Sequence, residues 1–332
     1  MEQLGPPRSE EETSADSAAS LLHAIPGTLS RLAPAARPAP PPEVQLHVLV
    51  RSLAQLRALR DLPIAGVIAE LDQPRELKEA VAMGRGCWPA GVRLAGARIT
   101  RPDEAWSLDP LLQARPDGYL VRNADQLERL SGLAPCVGDF SLNVANPLSA
   151  AWFLDRWGLE RVTASYDLDL QQLLALAAGL PSAALEVTVH QHMPLFHMEH
   201  CLFCAFLCSG HDHTDCGRPC ERHTVLLRDR SGCDHPLRAD LGCRNTLYNA
   251  RAQTAAEALP QLLAAGVRHL RLELLEESGD QARQRVLAYL DTVAGRISGR
   301  DLWRSEQFES RLGVTRGSLQ TSGRRAVSSG SG

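Results

Sequence analysis

The sequence predicts an α/β fold, a (β/α)₈ TIM-like barrel with a Cys/His-rich metal-binding insertion after the seventh strand. Two observations support this prediction: short apolar runs alternate with helix-like segments, and the alternation repeats eight times. Strands that alternate with helices form right-handed βαβ units and therefore a parallel sheet. An open doubly wound sheet has the same local pattern, but eight repeats over roughly 250 residues favour the closed barrel.

The predicted elements follow one another in a regular order. The strand-like runs are Leu46–Val50, Gly66–Glu70, Val92–Ala97, Gly118–Val121, Cys136–Leu142, Arg161–Ser165, Leu185–His190 and His269–Leu274. The helix-like segments are 52–60, 74–84, 102–114, 124–131, 147–157, 169–179, 246–265 and 280–294. Proline at the first turn of a helix and glycine after its last turn are typical boundary signals, as at Pro74, Pro147 and Gly158.

The two ends of the chain differ in composition from the rest. Residues 1–43 are rich in Pro, Ala, Ser and Glu and predict a disordered arm, and residues 315–332 predict a disordered tail. Residues 44–314 are expected to form a single barrel-like domain. No run of eighteen apolar residues and no secretory signal pattern is found, so we expect no membrane span and a cytoplasmic location. The net charge of −4 argues against a strongly basic nucleic-acid binder.

Cysteine and histidine are concentrated in segment 190–243, which follows the seventh predicted strand. Seven of the nine cysteines lie between Cys201 and Cys243, and eight of the eleven histidines lie between His190 and His235. In the reducing compartment that we expect, metal ligation is favoured over a disulfide framework. On a barrel this long connection lies at the C-terminal face, where catalytic residues gather.

The cysteine spacing is C-x₂-C-x₃-C-x₇-C-x₃-C, followed by Cys233 and Cys243. Two closely spaced pairs and one distant thiolate meet the four-ligand demand of either a zinc site or an iron–sulfur cluster. Spacing alone leaves both metals open. We expect Cys208 and Cys233 to be spare, and Cys87 and Cys136 to be core residues.

Four polar residues are candidates for catalysis at the mouth of the barrel. His190 ends the seventh predicted strand and His192 follows two residues later, so either could act as acid, base or ligand. Arg122 and Asn143 follow other strands and are expected on the same face. For each histidine, a structural hydrogen bond to the backbone is the alternative. The sequence contains neither H-E-x-x-H nor G-x-S-x-G, so a conventional hydrolase is not supported.

Several segments together carry a family signature. They are Leu46–Arg51, Gly118–Asn123, Gly138–Pro147, His190–Pro194, His197–Cys201, Cys216–Cys220, Gly242–Thr246 and Gly313–Gly317. On these segments, over about residues 44–318, the chain resembles the collagenase-like peptidase family U32. It is most similar to the second, C-terminal module of the two-module members.

The resemblance implies a barrel-type fold and a [4Fe–4S] cluster held by four cysteines. The ligand positions look like Cys201, Cys204, Cys216 and Cys243, with Cys220 as a competitor for the third place. The family is named for a peptidase. Its better understood relatives resemble oxygen-independent hydroxylation enzymes that act on RNA bases or on the quinone ring, some of them as pairs of related subunits.

The chain departs from the family pattern in two respects. His190–Pro194 stands where the first-module signature H-G-A-x-C would be, and the first module itself is not in this sequence. We therefore expect an iron–sulfur, hydroxylase-like modification enzyme acting on an RNA base or small aromatic substrate, or a subunit of one. Its expected partner is a separate first-module protein or a second copy. The alternatives are a collagenase-like peptidase and a non-catalytic metal-binding subunit, with zinc as the alternative cofactor.

Overall fold

The computed structural model describes residues 43–309 and 314–315, except residues 102, 212, 213 and 241. The predicted arm, 1–43, lies outside the described residues as far as residue 42. The predicted tail, 315–332, lies outside them from residue 316, while Thr315 itself belongs to a short strand.

Among the described residues, twelve strands form one continuous sheet. They are β1 (Gln45–Val50), β2 (Gly66–Ala69), β3 (Val92–Ala95), β4 (Gly118–Val121), β5 (Cys136–Gly138), β6 (Arg161–Thr163), β7 (Leu185–Met198), β8 (Val225–Arg228), β9 (Asp234–Ala239), β10 (Asn245–Thr254), β11 (His269–Glu273) and β12 (Val314–Thr315). Strands β1 to β7 pair in order and in parallel. Strand β11 pairs in parallel with both β7 and β1, which closes an eight-stranded barrel as predicted.

Helices alternate with the barrel strands and also occur in the insertion and after β11. They are α1 (Leu53–Ala58), α2 (Pro74–Gly84), α3 (Asp109–Ala114), α4 (Ala124–Leu130), α5 (Pro147–Trp157), α6 (Leu170–Ala178), α7 (Leu202–Leu207), α8 (Leu259–Ala264), α9 (Gly279–Val293) and α10 (Gly299–Glu309). The Asn146 side chain caps α5 by accepting a hydrogen bond from the Ser149 amide, with Pro147 in the first turn. These local signals explain why the bounds of α5 match the prediction. Within the described residues, no helix is both long enough and apolar enough to cross a membrane.

The apolar core has two parts on either side of the barrel wall. Outward-facing strand residues such as Val48 and Val187 pack against the helices in one large cluster. A smaller layer fills the barrel lumen, and it consists of Leu49, Ile68, Ala95, Leu120 and Val137. This arrangement follows from the two-residue side-chain period of a strand that is buried on both faces.

The largest departure from the predicted elements is an antiparallel extension of the barrel. Strand β7 runs beyond the barrel, and its second half pairs antiparallel with β10. Strand β10 also pairs with β9, and β9 pairs with β8. The predicted helix at 246–265 is therefore wrong over its first half, because Asn245–Thr254 is β10. Pairing with β7 and β9 decides the conformation of this segment, whatever its helix propensity. The predicted strand Cys136–Leu142 is likewise extended only as far as Gly138.

Candidate functional site

The centre of the barrel lumen is a buried ion network around Arg271. This guanidinium has no exposed surface and lies 2.7 Å from Asp139 Oδ1, 2.6 Å from Glu186 Oε1 and 3.2 Å from Glu273 Oε1. Burial alone would raise the pKa of Glu186, but the charges of Arg161 and Arg271 hold it well below its usual range. The network therefore places several ionised groups in a site with little solvent, which requires each charge to be paired.

The same network continues to the mouth of the barrel through Arg122. Its Nε donates to Asp139 at 2.9 Å, and its Nη1 contacts Glu70. Glu70 also pairs with Arg51 at 2.8 Å. Burial would raise the pKa of Glu70, but the nearby charges of Arg122 and Arg51 hold it far below its usual range. The structure thus places the candidate Arg122 at the mouth, where it is bound to the carboxylates of Asp139 and Glu70 and to the Gly96 carbonyl.

A small sheet covers part of this mouth, and we call it the roof sheet. It consists of residues 191–198 of β7 together with β8, β9 and β10. Arg238 of the roof sheet pairs with Asp72, which follows β2, at 2.7 Å. The Tyr248 ring lies 5.1 Å below the Arg51 guanidinium, within cation–π range. These contacts fasten the insertion to the rim formed by β1 and β2.

Four cysteines line one cavity between the roof sheet and the rim. This cavity of about 400 Å³ is the cysteine cavity, and its thiols are Cys201, Cys216, Cys220 and Cys243. Burial, followed by the neighbouring thiols of Cys201, Cys216 and Cys220, raises the pKa of Cys243 to about 12. Burial and the thiols of Cys201 and Cys216 likewise raise the pKa of Cys220 to about 11. Cys243 and Cys220 therefore lie within electrostatic range of Cys201 and Cys216, and Cys204 does so too.

The remaining predicted ligand, Cys204, lies beside this group and not in the wall of the cavity. Cys204 lies near the N-terminus of α7, and its amide donates to the Cys201 sulfur at 3.5 Å. Its own thiol contacts the Gly210 carbonyl at 3.1 Å and the Cys208 sulfur at 3.6 Å. Within the described residues, no three His, Cys, Asp or Glu side chains are grouped as they would be around a single metal ion.

Cys243 is held by a specific turn between β9 and β10. Its φ of 60° lies in the left-handed region, which is uncommon for residues other than glycine. Asp240 fixes the turn, because its Oδ1 accepts from the amides of Gly242 and Arg244, both at 2.9 Å. The Asp240 carbonyl also accepts from the Cys243 amide at 3.1 Å. The turn therefore carries the Cys243 thiol into the wall of the cavity.

Comparison with known proteins identifies the family. The profile of Peptidase family U32 matches residues 121–318, which is more than half of the chain. The chain belongs to peptidase family U32. No curated protein matches it. Among solved structures, it is similar to the spore cortex-lytic enzyme SleL of Bacillus cereus, with a TM-score of 0.38, 7% identity and 75% of each chain covered.

In this U32 family member, His190 lies away from the mouth where we expected it. The ring is fully buried, and its Nδ1 lies 3.2 Å from the Tyr289 hydroxyl of α9. The cause is a register shift in β7, since Thr188 pairs with Arg271 whereas His190 pairs with the next residue, Leu272. One extra residue on β7 turns the following side chain to the outer face of the barrel.

The other two catalytic candidates have different surroundings. His192 is half-buried on β7, and its Nδ1 lies 2.8 Å from the Asn249 carbonyl. Burial lowers the pKa of this imidazole, so its neutral form is favoured. Asn143 is exposed, with a φ of 55°, at the end of the 3₁₀ turn Phe140–Leu142. The structure therefore does not bring Asn143, His190 and Arg122 into one group.

The sequence of β11 carries a signal for the lumen network in this U32 family member. Strand β11 alternates His269, Arg271 and Glu273 with Leu270 and Leu272. In a parallel barrel strand that is buried on both faces, such alternation places the polar residues in the lumen.

The cysteines outside the insertion fit their prediction, since Cys136 is buried and Cys87 packs half-buried against the core.

Proposed function

We propose that this U32 family member binds a [4Fe–4S] cluster in the cysteine cavity and modifies a substrate held beside the cluster at the barrel mouth. The proposed ligands are Cys201, Cys216, Cys220 and Cys243, with Cys204 as the competitor. The observation that carries the proposal is that these four thiols line one cavity. Four thiolates are the donor set that such clusters take, and the bound cluster supplies electron transfer.

Residues of the barrel rim line the same cavity and favour a hydroxylase-like enzyme over a purely structural metal site. Arg51 and Asp72 belong to the rim, and Glu276 follows β11. A substrate in the cavity therefore contacts the rim and lies next to the thiols. The role of these side chains is to bind and orient the substrate at a fixed distance from the metal site.

The walls also suggest the substrate class, which is an RNA base or a small aromatic ring. Trp106 lines the cavity and is 41% exposed, and an indole side chain offers apolar contact area to a planar ring. Arg218 and Arg222 line the same wall and carry donors suited to phosphate or ring oxygens. Stacking combined with guanidinium donors is a recognition mode that proteins use for nucleic-acid bases.

The test is a series of single Cys→Ser variants of the full chain, purified without oxygen. Visible absorbance and electron paramagnetic resonance report whether the cluster is present. We expect the cluster to be lost in the variants at positions 201, 216, 220 and 243. Cys87→Ser is the matched control, and we expect it to keep the cluster, since Cys87 lies outside the insertion, half-buried against the apolar core.

Cys204→Ser decides the fourth ligand. We expect this variant to keep the cluster, because the Cys204 thiol is directed at the Gly210 carbonyl and at Cys208. Loss of the cluster in Cys204→Ser with retention in Cys220→Ser would contradict our ligand set. A wild-type protein that binds zinc in place of iron would contradict the cluster itself.

The proposal includes a partner, a separate first-module protein of the same family or else a second copy of this chain. The insertion exposes apolar side chains that such a partner can cover, with Phe196, Phe206 and Leu207 exposed by 63%, 80% and 44%. Size-exclusion chromatography with light scattering, with and without the candidate module, tests this. We expect a complex that Phe206→Ser weakens. A monomer that modifies its substrate unaided would contradict it.

The collagenase-like peptidase is the competing activity, because the family carries that name. Gelatin digestion by the metal-loaded wild-type protein, compared with Cys243→Ser, distinguishes the two functions. We expect no digestion by either protein. Digestion by the wild type that the variant loses would favour the peptidase and contradict the modification enzyme.

A further inference from the structure

A second cavity opens between β6 and β7, on the opposite side of β7 from β11. The two strands pair only at Leu185 and Glu186 of β7. Beyond this point β7 turns toward β10, and His190 pairs with Thr254 of that strand. The Ser165 amide of the neighbouring segment bonds to the Val144 carbonyl instead. The separation of the strands leaves a cavity of about 30 Å³.

The polar groups in this cavity are all neutral, and three of them are incompletely paired. Among the described residues, Thr188 Oγ1, His190 Nε2 and Gln191 Oε1 are buried without a hydrogen-bond partner, and all three side chains line the cavity. His190 is fully buried, and Thr188 and Gln191 are exposed by only 8% and 6%. A buried polar atom without a partner costs free energy, so these atoms favour a ligand that pairs with them.

The hydrogen bonds around Tyr289 determine which kind of partner His190 needs. The Tyr289 hydroxyl donates its one hydrogen to the Val189 carbonyl at 3.2 Å. Its oxygen therefore accepts from the Thr254 hydroxyl at 2.5 Å and from His190 Nδ1 at 3.2 Å. A neutral imidazole that donates through Nδ1 carries a lone pair on Nε2. The free nitrogen of His190 is thus an acceptor, as is Gln191 Oε1.

The surroundings also exclude charged ligands. In the part of the chain that the structure describes, no Asp, Glu, Lys or Arg side chain lines the cavity. Burial and then the nearby Arg285 charge lower the pKa of His190 well below its usual range, so a cation there meets repulsion and no counter-ion. An anion is repelled by the lone pairs of His190 Nε2 and Gln191 Oε1. A neutral ligand that donates hydrogen bonds is the remaining class.

We propose that this cavity binds the primary amide head of a small neutral molecule. The space suffices for about two water-sized groups, which matches the nitrogen and oxygen of one –CONH₂. The amide nitrogen donates to His190 Nε2 and Gln191 Oε1, and the hydroxyl of Ser165 lies in the wall for the amide oxygen. This site is independent of the cysteine cavity and of the metal proposed there.

The test uses the full chain with ¹⁵N-labelled histidine and follows the His190 ring nitrogens by nuclear magnetic resonance. Acetamide is the probe, and N,N-dimethylacetamide, which has no N–H donor, is the matched control. We expect acetamide to shift the Nε2 signal saturably and the dimethyl compound to leave it unchanged. Gln191→Met is expected to weaken acetamide binding about three- to ten-fold, the effect of one lost hydrogen bond. Gln261→Met, on the exposed side of α8, leaves it unchanged.

Three results would overturn the proposal. The first is an Nε2–H tautomer in the ligand-free protein, since it makes this nitrogen a donor. The second is an equal response to acetamide and to the dimethyl compound. The third is a crystal soaked in acetamide that holds ordered water alone at His190. The tautomer and the crystal can be examined with wild-type protein, so neither depends on the folding of a variant.

Discussion

Replacing Arg271 by methionine tests whether the lumen network holds the barrel together. The Arg271 guanidinium is fully buried among Asp139, Glu186 and Glu273 at 2.6–3.2 Å. Methionine fills much of the same volume but leaves three carboxylates short of one counter-charge. Removing one partner of a buried ion pair typically costs about 3–5 kcal/mol. With a slope of about 3 kcal/mol per molar, the urea midpoint falls by about 1–1.7 M.

The assay is urea unfolding followed by circular dichroism, with Arg283→Met as the matched control. Arg283 forms its ion pair with Asp61 on the surface, so its loss is expected to change the midpoint little. A midpoint for Arg271→Met equal to that of Arg283→Met would refute the reasoning, because it would mean that the buried charges need no counter-charge from Arg271.

The destabilisation by Arg271→Met should also depend on pH. In the wild type, arginine charges hold the pKa values of Asp139 and Glu186 below their usual range against the effect of burial. Their stabilisation is therefore complete above an unfolded pKa of about 4 and is lost as the pH falls further. In the variant, burial raises the pKa values of Asp139 and Glu186. Protonation of these carboxylates then removes the cost of burying a charge that lacks its counter-charge. The difference between the proteins should shrink from pH 7 toward pH 5, and a constant difference would contradict this.

Two further predictions concern backbone positions. Gly118→Ala places a Cβ 2.5 Å from the Pro135 carbonyl oxygen, so we expect a loss of about 1–3 kcal/mol in the free energy of unfolding, measured by urea titration. Asp240→Ala removes two hydrogen bonds, to the amides of Gly242 and Arg244, and should speed alkylation of the Cys243 thiol in metal-free protein. Asp240→Asn, which keeps an acceptor oxygen, should preserve the slow rate, and equal rates in both variants would argue against a positioning role.

The barrel was predictable because its information is local. Strand β4 and helices α2 and α5 have the bounds that the sequence predicts. Proline in the first turn of each of these helices marks where it begins, and the apolar runs mark buried parallel strands. Such signals act over a few residues and do not depend on distant partners.

The roof sheet was not predictable from the same signals. The composition of Asn245–Thr254 includes alanine, arginine and glutamine, which favour a helix, yet Thr246 pairs with both His197 and Arg238. The pairing of Thr246 with His197, which is distant in the sequence, is determined by tertiary contacts. The position of His190 depends in the same way on the register shift against Leu272, which no local pattern marks.

The candidate site was predictable in its residue types and less so in its grouping. The concentration of cysteines indicated one site, and the structure gathers Cys201, Cys216, Cys220 and Cys243 around one cavity. The position of Cys204 depends on the path of α7 and of the turn at Gly210, which the spacing C-x₂-C does not fix. Arg51 of the barrel rim also lines this cavity, and only the closed barrel shows that it does.

Iron and acid-labile sulfide, measured in wild-type protein purified without oxygen, show whether the chain binds the proposed cluster. We expect four iron atoms and four sulfides per chain, as a [4Fe–4S] cluster contains. We also expect Cys243→Ser to lose both, because that thiol lies in the wall of the cysteine cavity. One zinc per chain with no iron, or full iron and sulfide in Cys243→Ser, would contradict the proposed cluster site.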